Sequence, residues 1–153
     1  MLSAPELVFV FEVRVEVGPP LEIGATFRGT RRIVPILGGT FEGPELRGRV
    51  LPGGADWQII HPDGFSELDT RYTLEAESGD VIYVQNRGIR HAPPELMVRL
   101  LAGDPVDPSQ VYFRTAPTFE TAAPGLRWLT RSLFVGMGER QPRTVLIQFW
   151  RVV

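Results

Sequence analysis

Cysteine is absent from the 153-residue chain, and so is lysine; all 16 basic residues are arginine. Without cysteine there is no thiol nucleophile, no disulfide and no Cys-ligated metal. Without lysine there is no Schiff base, no pyridoxal phosphate anchor and no phosphate-loop lysine. A surplus of positive charge is missing as well. The net charge of −2 argues against a nucleic-acid partner, because phosphate neutralisation needs a basic face. Long apolar runs are lacking too: the run from Leu7 to Phe11 is broken by Glu12 and Arg14, far short of the ~20 residues of a membrane-spanning helix. Residues Met1 to Pro5 contain no basic stretch leading into an apolar segment. No secretory signal, no membrane partner and a cytoplasmic location are therefore expected.

Several site motifs are also missing. There is no Gly-x-Ser-x-Gly elbow. The two histidines, His61 in a turn and His91 in a loop, lack any ligand spacing, so no metal is expected. Gly136-Met137-Gly138 lacks a third glycine and opens no helix, so it reads as a hairpin turn and not as a dinucleotide loop. No cofactor is expected.

What the chain does have is a period of two. From Leu7 to Val17, Phe11, Val13, Val15 and Val17 alternate with Glu12, Arg14 and Glu16, the pattern of a half-buried strand. A second strand is expected from Ala25 to Ile36, followed by bends through the glycine-dense stretch from Gly38 to Pro44. Arg47 to Leu51 and Ala55 to Ile60 flank a Pro52-Gly53-Gly54 turn. His61-Pro62-Asp63-Gly64 is another turn. Phe65 to Ala76 and Asp80 to Asn86 form a hairpin, and Pro94 to Leu101 reads as the one short helix, with Gly103 as its stop. Further strands are expected at 110–115, 119–122, 128–135 and 144–153. Many short strands at even spacing, with glycine-rich corners, predict one all-β domain over residues 1–153. Its expected form is a closed antiparallel barrel of about eight to ten strands. A barrel that size is filled by side chains or holds one small ligand.

The stretch Gly38-Gly39-Thr40-Phe41-Glu42-Gly43-Pro44 and its continuation through Gly53-Gly54-Ala55-Asp56-Trp57 closely resemble the signature of the domain of unknown function 3237 family. Leu68 to Leu74, Tyr112 to Pro117 and Gly136 to Arg140 extend the resemblance over nearly the whole chain from about Gly24. It implies a compact antiparallel barrel of calycin or allene-oxide-cyclase type that self-associates as a dimer or higher oligomer. It implies little about the reaction.

Asp56 is the first candidate for chemistry. It follows a Gly-Gly turn and adjoins Trp57, and a carboxylic acid desolvated against an indole suits proton transfer near neutral pH. The plainer alternative is that it caps the turn. Glu67, Asp69 and Arg71 share one strand face, with Leu68, Thr70, Tyr72 and Leu74 on the other. Alternation favours an outward-facing charged trio. The family match at Asp69 and Arg71 favours an inward-facing one, with Arg71 on a substrate oxygen. Arg114 and Glu120 bracket Pro117, either as an ion pair pinning a bend or as ligand contacts. Phe41, Tyr83 and Trp128 are expected wall residues, first of all core; Asn86, Arg28 and Arg87 are weaker candidates. By elimination, the leading expectation is a cofactor-independent isomerase, cyclase or lyase acting on a small hydrophobic carbonyl compound. Asp56 or Asp69 would move the proton, and Arg71 would hold oxyanion charge. The alternatives are a non-catalytic carrier of small lipophiles and a solid-cored assembly module.

Overall fold

The period-two pattern becomes ten strands and one helix in the computed structural model, which describes all residues from 1 to 153. The strands are β1 (Leu7–Val17), β2 (Leu21–Thr26), β3 (Gly29–Glu42), β4 (Arg47–Val50), β5 (Ala55–Ile60), β6 (Phe65–Ala76) and β7 (Val81–His91). Helix α1 (Pro94–Leu101) follows, then β8 (Tyr112–Thr121), β9 (Phe134–Arg140) and β10 (Thr144–Val152). In β1, Phe11, Val13 and Val15 are buried while Arg14 and Glu16 are exposed, so one edge of the alternation faces the interior.

Every pairing is antiparallel, and the sheet closes on itself. Neighbours run from β1 through β10, β9, β8, β7 and β6 to β3, and β1 pairs back onto β3. Between β3 and β6 two short strands share one position. β4 pairs with the Gly39–Glu42 end of β3, and β5 with the Thr30–Pro35 end. The result is a closed eight-strand barrel with two extra strands. β2 has β3 as its one partner and lies at an edge. Closure brings β1 very close to β3: a side chain on Gly39, which has φ +139°, would run into the main chain at Arg14.

Four expectations need correction. The strand foreseen from Ala25 to Ile36 is instead a hairpin, turning at Phe27-Arg28, and β3 continues through Gly38 and Gly39 because a strand stripped of side chains can cross close over β1. β8 is one strand, not two. Pro117 is tolerated because it lies beyond the last β8–β9 pair, on the half of β8 with a strand neighbour on one side alone. Residues Pro124–Thr130 form a 3₁₀ segment where a strand was expected. Gly136 and Gly138 lie within β9 and not in a turn; their missing side chains make room for the rings of Phe149 and Phe113. Besides α1 there are thus two 3₁₀ segments, the other at Pro108–Gln110.

The barrel interior has two unlike ends. At one, Phe11 sits among Phe149, Phe41 and Phe119 at ring separations of 5.3, 5.4 and 5.8 Å, and Phe119 meets Phe134 at 5.0 Å. This end is solid. The other lies under α1, whose Met97 and Leu100 are buried in a small cluster of their own. The apolar faces of β1 and β10 are spent inside the barrel: Val13, Val15, Ile147 and Phe149 all belong to its core. Replacing fully buried Phe11 by Ala should lower unfolding stability by about 3–5 kcal/mol in a urea titration. Phe27→Ala, at a ring that is 94% exposed, should change it by no more than about 0.5 kcal/mol.

Candidate functional site

Polar side chains share the inward phase of the strands at the α1 end. On β7, Asn86 and Arg90 continue the face that begins with Ile82 and Val84, and Gly88 lies between them. On β6, Thr70 and Tyr72 follow Leu68. On β5 the inward residues are Asp56 and Gln58, and on β3 Arg32 precedes Val34 and Ile36. Arg140 comes from the end of β9. Together with Val15, Val145, Ile147 and Phe113 these side chains, Arg32 excepted, enclose a cavity of ≈ 40 Å³, and Arg32 faces the cleft beside it. Val17 and Arg140 line both this cavity and a surface cleft of ≈ 480 Å³ beside the C-terminal end of α1, so they form the partition between the two.

Asp56 is the acid of this chamber. Gln58 donates from Nε2 to its Oδ2 at 2.8 Å, while Oδ1 is sealed from solvent and has no hydrogen-bond partner. The residue as a whole is half-buried, while Oδ1 is enclosed. Desolvation pushes its pKa above the usual carboxylate range and outweighs Gln58, Arg90 and Thr70, which favour the anion. Arg90 is 1% exposed, with its guanidinium 5.5 Å from the Phe113 ring centre. Burial draws Arg90 down to about 10, opposed by Asp56 and reinforced by Arg140 and Arg32, which leaves it charged at neutral pH. Arg32 and Arg140 are lowered as well, first by desolvation. Arg32 donates from Nη1 to the Leu101 carbonyl of α1 at 3.2 Å and lies 3.5 Å from the exposed carboxylate of Glu22. The hydroxyl of Tyr72 is buried without a partner, and burial raises its pKa, so it stays a neutral donor.

Of the residues singled out from the sequence, Asp56 and the weaker candidate Asn86 are in the chamber. Trp57 does not desolvate Asp56: adjacent strand residues point to opposite faces, and Trp57 projects outward at 37% exposure. Asp69 and Arg71 also project outward, which decides between the two arrangements left open for the trio. They pair with each other at 3.2 Å, and Glu67 meets His61 at 2.8 Å. Partial burial of Asp69 is outweighed by the bonds and charges of Arg71, Gln85 and Arg87, which hold its pKa below the usual range, opposite to Asp56. Tyr83 and Glu120 are outward neighbours on β7 and β8. Arg114 stacks over Tyr112 at 5.2 Å, and the expected Arg114–Glu120 pair does not form, since six strand residues span about 20 Å. Phe41 lies in the solid phenylalanine end, and Trp128 packs 6.4 Å from Phe134, so neither lines the cavity. The residue missed was Arg90. The signal for it was its phase with Ile82 and Val84.

The family model described as "Protein of unknown function (DUF3237)" matches residues 5–152. The chain belongs to this family. A UPF0311 protein of Rhodopseudomonas palustris (strain TIE-1) is 44% identical over 153 residues, covering 100% of both chains. The crystal structure of a conserved protein of unknown function from Rhodopseudomonas palustris superposes with TM-score 0.94 at 43% identity, over 99% of this chain and 100% of that one. The structure of an enzyme from Penicillium herquei shares the fold with TM-score 0.74 at 18% identity, covering 100% and 98%.

The raised pKa of Asp56 has a thermodynamic sign. Folding favours its neutral form, so its stabilising contribution is intact below about pH 4 and is lost as pH rises through the folded value. Asp56→Asn keeps an acceptor for Gln58 and cannot ionise. Its melting temperature should exceed that of the natural chain at pH 8, with the gap closing toward pH 4. A gap of constant size, or of opposite sign, would contradict the desolvated carboxyl.

Proposed function

We propose that this barrel is a cofactor-independent acid–base enzyme for a small carbonyl compound, with Asp56 as the proton carrier and Arg90 as the holder of oxyanion charge. The observation that carries this reading is the free, sealed Oδ1 of Asp56 in a chamber whose other charged groups are guanidiniums. As carboxylate, Oδ1 takes a proton from the carbon next to the carbonyl. The C–H electron pair becomes the enolate double bond, and the carbonyl oxygen takes up the negative charge opposite Arg90. Return of the same proton from Asp56 to a different carbon completes an isomerisation, with nothing else consumed. Gln58 fixes the carboxyl through Oδ2 and leaves the other oxygen for chemistry. A carboxyl whose pKa is raised above the usual carboxylate range by burial suits both halves of the cycle. The Penicillium herquei enzyme supports the reading only to the extent that this fold can host catalysis.

The size of the chamber argues against lipophile carriage. Pockets for drug-sized ligands run to about 300–1,000 Å³, and this cavity offers ≈ 40 Å³ behind its cleft. The test is loss of α-protons to D₂O, followed by NMR, for cyclohexanone, acetylacetone and pyruvate. The natural chain should accelerate exchange of at least one compound. Asp56→Asn should lower that rate about 10²–10⁴-fold, while Asp69→Asn on the outer wall leaves it unchanged. Binding without exchange would favour a carrier.

The proposal includes self-association through the exposed edge of β2. Leu21 and Ile23 there are 60% and 55% exposed, and Phe27 at its turn is 94% exposed. A sedimentation profile with one 17.1 kDa species would count against it.

A further inference from the structure

The charge inside the chamber is unbalanced. Arg90 and Arg140 line it, Arg32 lies just outside toward the cleft, and each of the three is close enough to Asp56 to feel its charge. Asp56 is the one carboxyl within; Glu22 touches Arg32 from the exposed rim. Two cations on the lining, with a third behind them, therefore face one acid whose neutral form is favoured by burial. The hydrogen bonding is unbalanced in the same sense. Nε and Nη2 of both Arg32 and Arg90 are buried without any acceptor, and these residues are 4% and 1% exposed. A buried donor left unpaired weakens the fold, and a charged one more so.

Water alone does not resolve this. A cavity of ≈ 40 Å³ has room for about three water molecules, which can accept hydrogen bonds but carry no charge. The missing component is an anion. The rest of the lining says which kind: Val15, Val34, Ile36, Leu68, Val145 and Ile147 give it an apolar surface. A hydrated inorganic ion would lose water there and gain nothing from hydrocarbon.

We infer that the chamber selects a small organic oxyanion, a carboxylate or an ionised enol, with its oxygens on Arg90 and Arg140 and its hydrocarbon part on the valine, leucine and isoleucine lining. This deepens the acid–base reading and rests on it for the carbon that would lie beside Asp56. Charge selection itself needs no turnover. An anion entering through the cleft passes Arg32, Arg143 and Arg140, and Arg140 is the one of the three that also lines the chamber.

Calorimetric titration of the full chain, in low-salt buffer free of other carboxylates, tests the inference with pyruvate, the acetylacetone enolate and neutral acetone. At least one anion should bind tenfold or more tightly than the ketone, and the tighter of the two tells carboxylate from enolate. Arg140→Gln should weaken that anion at least tenfold and raise the melting temperature of the ligand-free chain, because it relieves repulsion. Arg71→Gln, the same charge change on the outer wall, should do neither. Equal binding of ketone and anions by the natural chain would overturn the inference without any variant. So would phosphate or chloride displacing the anion at equal concentration, or an Arg140→Gln chain that binds as the natural one does. Selective anion binding with no α-proton exchange would leave this inference standing and remove the acid–base reading.

Discussion

Pairing of β1 with both β10 and β3 is the constraint from which the rest follows. It turns a ten-stranded sheet into a tube, so each inward side chain is removed from water by its neighbours around the ring and not by a second layer. An inward carboxyl on such a wall has no bulk solvent to share its charge. Asp56 is therefore desolvated by topology, and one hydrogen bond from Gln58 does not compensate.

The two ends of the tube divide the labour. Interlocked phenylalanines at one end supply close-packed apolar burial, the dominant favourable term in folding. The end under α1 departs from the usual rule that buried polar groups are paired: Asp56, Arg32, Arg90, Tyr72 and Asn86 all hold atoms with no partner. A fold with one well-packed end can sustain a destabilised one, a common arrangement where stability is given up for function. The outer wall makes the contrast plain. Asp69 and Arg71 are the same residue types as Asp56 and Arg90, yet they pair with each other and remain hydrated. Chemistry here depends on which face of the strand a residue occupies, not on its type.

The arginine-only composition also acquires physical meaning. A lysine ammonium buried this deeply sheds its proton readily, whereas a guanidinium stays charged. Buried Arg90 and Arg32, with half-buried Arg140, can therefore hold a standing positive field in and beside the chamber. The helix takes part as well, since the carbonyl of Leu101 near its end orients Arg32.

Much of this was legible in the chain. Alternation in β1, β5 and β6, the helix at Pro94–Leu101 and the barrel class follow from local pattern, because the two faces of a strand and a proline–glycine pair are properties of neighbouring residues. The conduct of β3 and β9 was not, since their glycines answer to Arg14, Phe113 and Phe149, which are remote in sequence. The site divided along the same line. Asp56 stood out by its turn and Arg90 was visible in phase, but choosing Arg90 over Arg71 required knowing which side of β6 and β7 the ring encloses. The sequence by itself determined the alternation, the residue inventory and the chemistries ruled out by missing Cys and Lys. Tertiary structure alone decided which alternate face is inside, because inside and outside are defined only when the first and last strands meet.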